Sequence, residues 1–226
     1  MRFFVIEGLD GSGKSTQLKL LKEYLEKEGI SYKYLHFPRL QEGVFGELVA
    51  RFLRGEMGLI DQVDPYLVAL IFAGDRADAS SLIRNWMDEG YLVMVDRYVY
   101  SNIAFQCAKL PSAEERIRLR DWILDFEFKH NGLPKPDLNL LLHVPIEFTR
   151  QQLAKAREGD DRSYLKGERD IHEEDLGFQE RVMREYLSLQ QYVDDLKLID
   201  CTDGLGKMQS PFAISDLIIK QLGVES

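Results

Sequence analysis

The stretch Gly8-Leu9-Asp10-Gly11-Ser12-Gly13-Lys14-Ser15 constrains this chain more than any other. It fits G-x-x-x-x-G-K-[ST] without a gap and separates two segments of different periodicity. Before it, Phe3-Phe4-Val5-Ile6 is a short continuous apolar run of the kind a buried strand needs; after it, Leu18, Leu21 and Leu25 recur at helical spacing. Strand, glycine-rich loop and helix in that order make a phosphate cradle. The glycines let the backbone turn tightly so that successive N–H groups face phosphate oxygens, and the helix N-terminus adds a favourable dipole. Lys14 is placed to reach β and γ phosphates, and the Ser15 hydroxyl to ligate magnesium. Such a loop also needs a carboxylate at a neighbouring strand end. Tyr91-Leu92-Val93-Met94-Val95 followed by Asp96 supplies one, so Asp96 is the second candidate metal ligand; capping a helix is its other reading.

The rest of the chain alternates extended and helical segments. Tyr32 to Phe37 is extended and stops at Pro38, and a long helical pattern runs from Asp64, as N-cap with Pro65 in first position, to about Glu89. Ser112 and Glu115 form a capping box, Leu138 to Val144 is a strand, Ile146 to Arg157 is helical, and Leu196 to Cys201 is a last strand before a terminal helix. Alternation of this kind predicts an α/β fold of the P-loop NTPase type, with a parallel sheet of about five strands and helices on both faces. Glu158 to Asp175 breaks the pattern: it is charged, holds two glycines and lacks periodic apolar positions, and the expectation is a mobile loop.

Composition narrows the partners. With 29 basic and 38 acidic residues the formal charge is −9, which argues against holding a nucleic acid polymer by its phosphates but leaves room for a small anionic substrate. Cys107 and Cys201 show no metal or redox spacing and are expected to be buried or neutral thiols. Only four apolar residues lie between Arg2 and Glu7, too few for a secretory signal, and the longest apolar run, Tyr66 to Ala73, is too short to span a bilayer. No membrane association and a cytoplasmic address are the expectations.

A regulatory GTPase is disfavoured, since no Asn is followed by Lys and the lone Asp-x-x-G, at Asp203 to Gly206, falls after the final strand. Several motifs instead keep company with the phosphate loop: Glu7 to Asp10 and Lys14-Ser15-Thr16; Phe37-Pro38-Arg39; Leu70-Ile71-Phe72 with Asp75-Arg76; Asp96-Arg97-Tyr98 with Ser101 and Ala104-Phe105-Gln106; Leu133 to Asp137; and Phe178-Gln179-Glu180-Arg181. In these blocks the chain resembles the thymidylate kinase family along nearly its whole length. The resemblance implies transfer of the γ-phosphoryl of ATP to dTMP, giving ADP and dTDP, with Mg2+. It also implies a homodimer and one nucleoside monophosphate kinase domain over 1–226 with a lid at about 155–175.

The resemblance further implies site roles. Gly8, Leu9, Asp10, Gly11, Ser12, Gly13, Lys14, Ser15 and Thr16 would bind ATP, and Asp10 would also accept from the deoxyribose 3′-hydroxyl. Arg39 and Arg97 would meet the acceptor phosphate, Phe72 would stack on thymine, and Arg76 would bond its carbonyl. Ser101, Asn102 and Gln106 would line the base pocket, and Tyr98 would crowd the place of a ribose 2′-hydroxyl. Several have a plainer reading: Asp10 can brace its own turn, Arg39 can be a solvated surface arginine, Phe72 can be core, and Ser101, Asn102 and Gln106 can cap or solvate a helix start. Some members carry an arginine directly after the loop aspartate, but Gly11 stands here. A basic group from Lys155 to Arg162, with Arg157 the first choice, would then supply the last positive charge. None of His36, His130, His143 and His172 is needed, because a phosphate monoester with a second pKa of about 6 is already a dianionic nucleophile. Two rival readings stay open: a kinase for another monophosphate, and a nucleotide-binding module that does not transfer.

Overall fold

Alternation along Phe3–Gly8 (β1) sends Phe3 and Val5 to one face of a sheet and Phe4 and Ile6 to the other, and each face is covered by its own helices. The computed structural model describes residues 2–155 and 176–224. Strand β1 is the middle of a five-stranded parallel sheet whose other members are Tyr32–His36 (β2), Leu92–Asp96 (β3), Leu138–His143 (β4) and Leu196–Asp200 (β5). Their spatial order is β2-β3-β1-β4-β5, with Ile6 opposite Asp96 on one side and Gly8 opposite Leu142 on the other. Burial on both faces explains the apolar runs Phe3 to Ile6, Leu92 to Val95 and Leu140 to Leu142 in the three central strands.

Among the described residues the helices are Lys14–Lys27 (α1), Gly43–Leu53 (α2), Pro65–Asp88 (α3), Val99–Cys107 (α4), Ala113–Leu124 (α5), Ile146–Lys155 (α6), Leu176–Gln190 (α7) and Pro211–Leu222 (α8). Leu18, Leu21 and Leu25 of α1 and Ile214, Ile218 and Leu222 of α8 pack under Phe4 and Ile6. Helices α3, α4, α5 and α7 cover the opposite face, over Phe3, Val5, Val93 and Val95. The predicted caps form: Asp64 accepts from the Tyr66 N–H at 2.8 Å with Pro65 in the first turn, and Ser112 and Glu115 make their reciprocal box.

Two features go beyond the sequence reading. Helix α2 follows a cis Phe37–Pro38 peptide and packs on α3, with Val49, Phe52, Leu53 and Val68 as a small separate core. Gly46 lets α2 lie against the segment that leads into it, since a Cβ there would stand 2.1 Å from the Arg39 carbonyl oxygen. The end of α5 widens into a π-helical turn over Asp125–His130, which carries Glu127 into the interior. The predicted end of α6 at Arg157, the stretch Glu158 to Asp175 and the candidate cations Arg157 and Arg162 lie outside the described residues, as does the side chain of Lys155. Cys107 and Cys201 are free and buried, and burial pushes both thiols up to about 12. No helix among the described residues is long and apolar enough to cross a membrane.

Candidate active site

The carboxyl ends of β1, β2 and β3 open into a cleft of about 1000 Å³, where an open parallel sheet places ligands. Its floor is the phosphate loop. Gly13, at φ 89°, turns the chain through a left-handed conformation into α1, so the first N–H groups of that helix face the cleft. Lys14 lies across the loop and donates from Nζ to the Leu9 carbonyl at 2.9 Å. Burial first, then the Arg97 charge, pulls its ammonium down to about 8, against the raising effect of Asp96, Asp10 and Glu7. Asp10, Gly11, Ser12, Gly13, Lys14, Ser15 and Thr16 all line the cleft; Gly8 and Leu9 lie behind it, with the Leu9 side chain in the core.

Arg97 follows β3 directly and adopts φ 65°, the only positive φ of a non-glycine residue among those described. The turn aims its guanidinium at the phosphate loop, where Nη2 donates to Asp10 Oδ1 at 2.6 Å. A carboxylate beside bound phosphates thus has its counter-charge in place. Gln179 of α7 donates to the other Asp10 oxygen at 3.1 Å. Burial opposes the Arg97 charge, but Asp10 and the surrounding acids outweigh it and hold the guanidinium above its ordinary value. Asp96, at the end of β3, is 5% exposed and lies 4.0 Å from His36 Nε2. Among the described residues its Oδ1 has no hydrogen-bond partner, and neither has the buried Ser12 hydroxyl.

The opposite end of the cleft is walled by α3 and α4. Phe72 and Arg76, one turn apart, both face it, and Phe72 meets Phe52 edge to face at 6.4 Å. Arg76 is 2% exposed and forms a two-pronged pair with Glu127, Nε to Oε2 at 2.5 Å and Nη2 to Oε1 at 2.7 Å. Asn102 donates to the same Glu127 and to the Ala69 carbonyl; among the described residues its Oδ1 and the Gln106 Oε1 are acceptors with no partner. Arg39 reaches the cleft but is tied to Asp75 through its backbone N–H, Nε and Nη2, and to Glu42 through Nη1. Tyr98 does not reach the cleft wall. Its ring is packed between Phe3 and Phe37, and its hydroxyl donates to the Pro134 carbonyl at 3.2 Å, so it shapes the site from the core.

A phosphate cradle, a strand-end carboxylate, a paired arginine and an aromatic wall with unsatisfied amide acceptors therefore share one crevice. The family model described as thymidylate kinase matches residues 6–210. The chain belongs to the thymidylate kinase family. A thymidylate kinase of Mycobacterium tuberculosis is 36% identical over 187 residues, 81% of this chain and 83% of its own length. A probable thymidylate kinase of Thermococcus kodakarensis is 32% identical over 206 residues, 89% of this chain and 90% of its own. Among solved structures, the thymidylate kinase of Candida albicans superposes with a TM-score of 0.73 at 26% identity, covering 98% of this chain and 92% of the other. The reaction is accordingly phosphoryl transfer from ATP to dTMP, and neither rival reading is favoured.

Four residues around this cleft carry no site role in the sequence reading: Glu7 and Gln179, which appear there as part of motif blocks, and Glu127 and Tyr186, which do not appear at all. Each is buried, and each bonds a cleft residue. A signal existed for three of them, since Glu7 ends an apolar strand, Glu127 stands between Phe126 and Phe128, and Gln179 follows Phe178. Polar groups in such apolar settings must be hydrogen-bonded inside the protein.

Proposed function

We propose that this cleft transfers the γ-phosphoryl of ATP to dTMP by alignment and charge neutralisation, without a side chain that acts as a strong base. The observation that carries the reading is the Arg97 guanidinium, 2.6 Å from Asp10 of the phosphate loop and lining the same cleft as Phe72 and Arg76. The acceptor phosphate, a dianion above a pKa of about 6, is itself the nucleophile. Arg97 neutralises the acceptor and the phosphoryl group moving toward it, while Lys14 and the loop N–H groups hold the donor phosphates. Asp10 accepts from the sugar 3′-hydroxyl while Arg97 and Gln179 keep it in place. Arg39, aligned by Asp75, supplies a second charge toward the acceptor phosphate.

At the base end, Phe72 offers a ring to stack on. The free Asn102 Oδ1 accepts from the imide N–H of thymine, and Arg76 donates to a base carbonyl with the guanidinium nitrogen that Glu127 does not use. Ser101 borders this pocket through its contact with Arg97, and Gln106 supplies a second acceptor. Ser15 and Asp96 fit magnesium: both are hard oxygen donors lining the cleft, and the Asp96 Oδ1 has no other partner among the described residues. Bound there, magnesium would supply charge neutralisation to the donor phosphates.

The test is ADP release with ATP and a panel of dTMP, dUMP, UMP, CMP and AMP, with and without a magnesium chelator. Fast release with dTMP, lost on chelation, is expected; release indifferent to the acceptor would sink the reading. The family match over 6–210 supports a single catalytic domain. Val44 of α2 and Leu67, Leu70 and Leu82 of α3 are exposed apolar residues and support a homodimer through that face, which sedimentation velocity would reveal as a particle of twice the chain mass.

Lys14 adds a pH dependence whose sign follows from its cause. The free enzyme holds the ammonium at about 8, so kcat/KM for ATP should fall as pH rises through 8 and the cation is lost. Bound phosphates stabilise the charged form, so kcat should hold to higher pH. Profiles of both constants from pH 6.5 to 9.5 check this, and a flat kcat/KM across that window would exclude Lys14 as the titrating group.

A further inference from the structure

Glu7 is the last side chain of β1 before the phosphate loop, and it is completely buried. Its Oε1 accepts from the backbone N–H of Tyr98 at 3.1 Å and of Ser101 at 3.3 Å. Its Oε2 accepts from the Ser101 hydroxyl at 2.5 Å and stands 2.9 Å from the Tyr186 hydroxyl, the two hydroxyls being 2.7 Å apart. Tyr98 is the N-cap of α4 but makes no capping bond with its own side chain, so Glu7 serves as the cap from another strand. Burial pushes its carboxyl up, against the donors and the Arg97 charge that favour the ionised form.

What this carboxylate surrounds is Arg97. The Arg97 N–H donates to the Ile6 carbonyl at 3.0 Å, and Glu7 takes the next backbone N–H, so consecutive residues of β1 clamp the chain on both sides of a left-handed arginine. That conformation is costly for a residue with a Cβ and persists only where its surroundings over-determine it. The far end of the side chain is reached as well, since Arg97 Nη1 donates to the Ser101 Oγ that Glu7 holds. We propose that Glu7, with Tyr186 as its partner from α7, is a positioning residue for the reaction, fixing both the backbone turn and the guanidinium of Arg97. A plain helix cap would need neither the bond to the Ser101 hydroxyl nor the Tyr186 hydroxyl. The inference rests on the role proposed for Arg97.

The test is a double-mutant cycle in steady-state kinetics using Glu7→Gln, Tyr186→Phe and Arg97→Ala, with thermal unfolding of each variant. Glu7→Gln should lower kcat by about 10²-fold, the size expected when a reacting group is misplaced by about an ångström, and leave KM for ATP nearly unchanged. Tyr186→Phe should give a smaller loss of the same kind. In the Arg97→Ala background both should cost little further, because groups that act as a unit are not additive. If Glu7→Gln fails to fold, Tyr186→Phe, which removes one hydroxyl, carries the same cycle. Wild-type kcat in both variants, or losses that multiply in full on the Arg97→Ala background, would overturn the inference while leaving the Arg97 role standing. Arg97→Ala at wild-type turnover would overturn that role and this inference with it.

Discussion

Arg97→Ala should lower kcat by about 10² to 10³-fold, the usual cost of removing one preorganised contact to developing charge. The guanidinium is fixed before substrate arrives: its backbone is clamped by Ile6 and Glu7, and Nη2 is 2.6 Å from Asp10. Little reorganisation then remains to be done in the transition state. The variant should also raise KM for both substrates, because Asp10 would face the phosphates without the guanidinium that now stands 2.6 Å from it. Arg97→Lys should recover part of kcat, since it restores the charge without the planar fork that can meet Asp10 and a phosphate together. Kinetics on folded protein decide the matter, and turnover near wild type in Arg97→Ala would remove the residue from the mechanism.

The fold was legible because each signal was local. The apolar runs at Phe3–Ile6, Leu92–Val95 and Leu140–Leu142 report burial on two faces, and Asp64, Pro65, Ser112 and Glu115 mark helix starts through groups that bond within a few residues. Helix α2 was missed because its apolar face is short and packs on α3 instead of the sheet, and the π-helical turn at Asp125–His130 because no periodicity announces one. The cleft gathers the residues whose motifs sit at strand ends or one helix turn apart, such as Asp96 with Arg97 and Phe72 with Arg76. The contacts that hold them join residues 51 to 179 positions apart: Arg76 to Glu127, Asp10 to Gln179, and Glu7 to Tyr186. One sequence shows that such a polar residue is out of place in an apolar stretch, but not which distant group it answers. Tyr98 is the converse case, a motif residue whose side chain the packing of Phe3 and Phe37 turns into the core.

The Arg76–Glu127 pair should show that a buried ion pair can serve the site more than the fold. With both groups almost free of solvent, at 2% and 0% side-chain exposure, Glu127→Ala would strand the Arg76 charge and take one partner from Asn102. Breaking such a pair on one side costs about 3 to 5 kcal/mol. For a chain of this size the melting temperature should then fall on the order of 10 °C. The double variant Arg76→Met/Glu127→Leu removes both charges and keeps the volume, a change that is often neutral or stabilising. It should recover most of the lost stability. It should not recover dTMP binding, since the guanidinium facing the base is gone and Asn102 has lost one of its two acceptors, while KM for ATP, set at the phosphate loop, stays close to wild type. Thermal unfolding with steady-state kinetics on the three proteins separates the two effects. An unchanged melting temperature in Glu127→Ala would show that the pair is not buried as described, and a wild-type KM for dTMP in the double variant would take Arg76 out of base recognition.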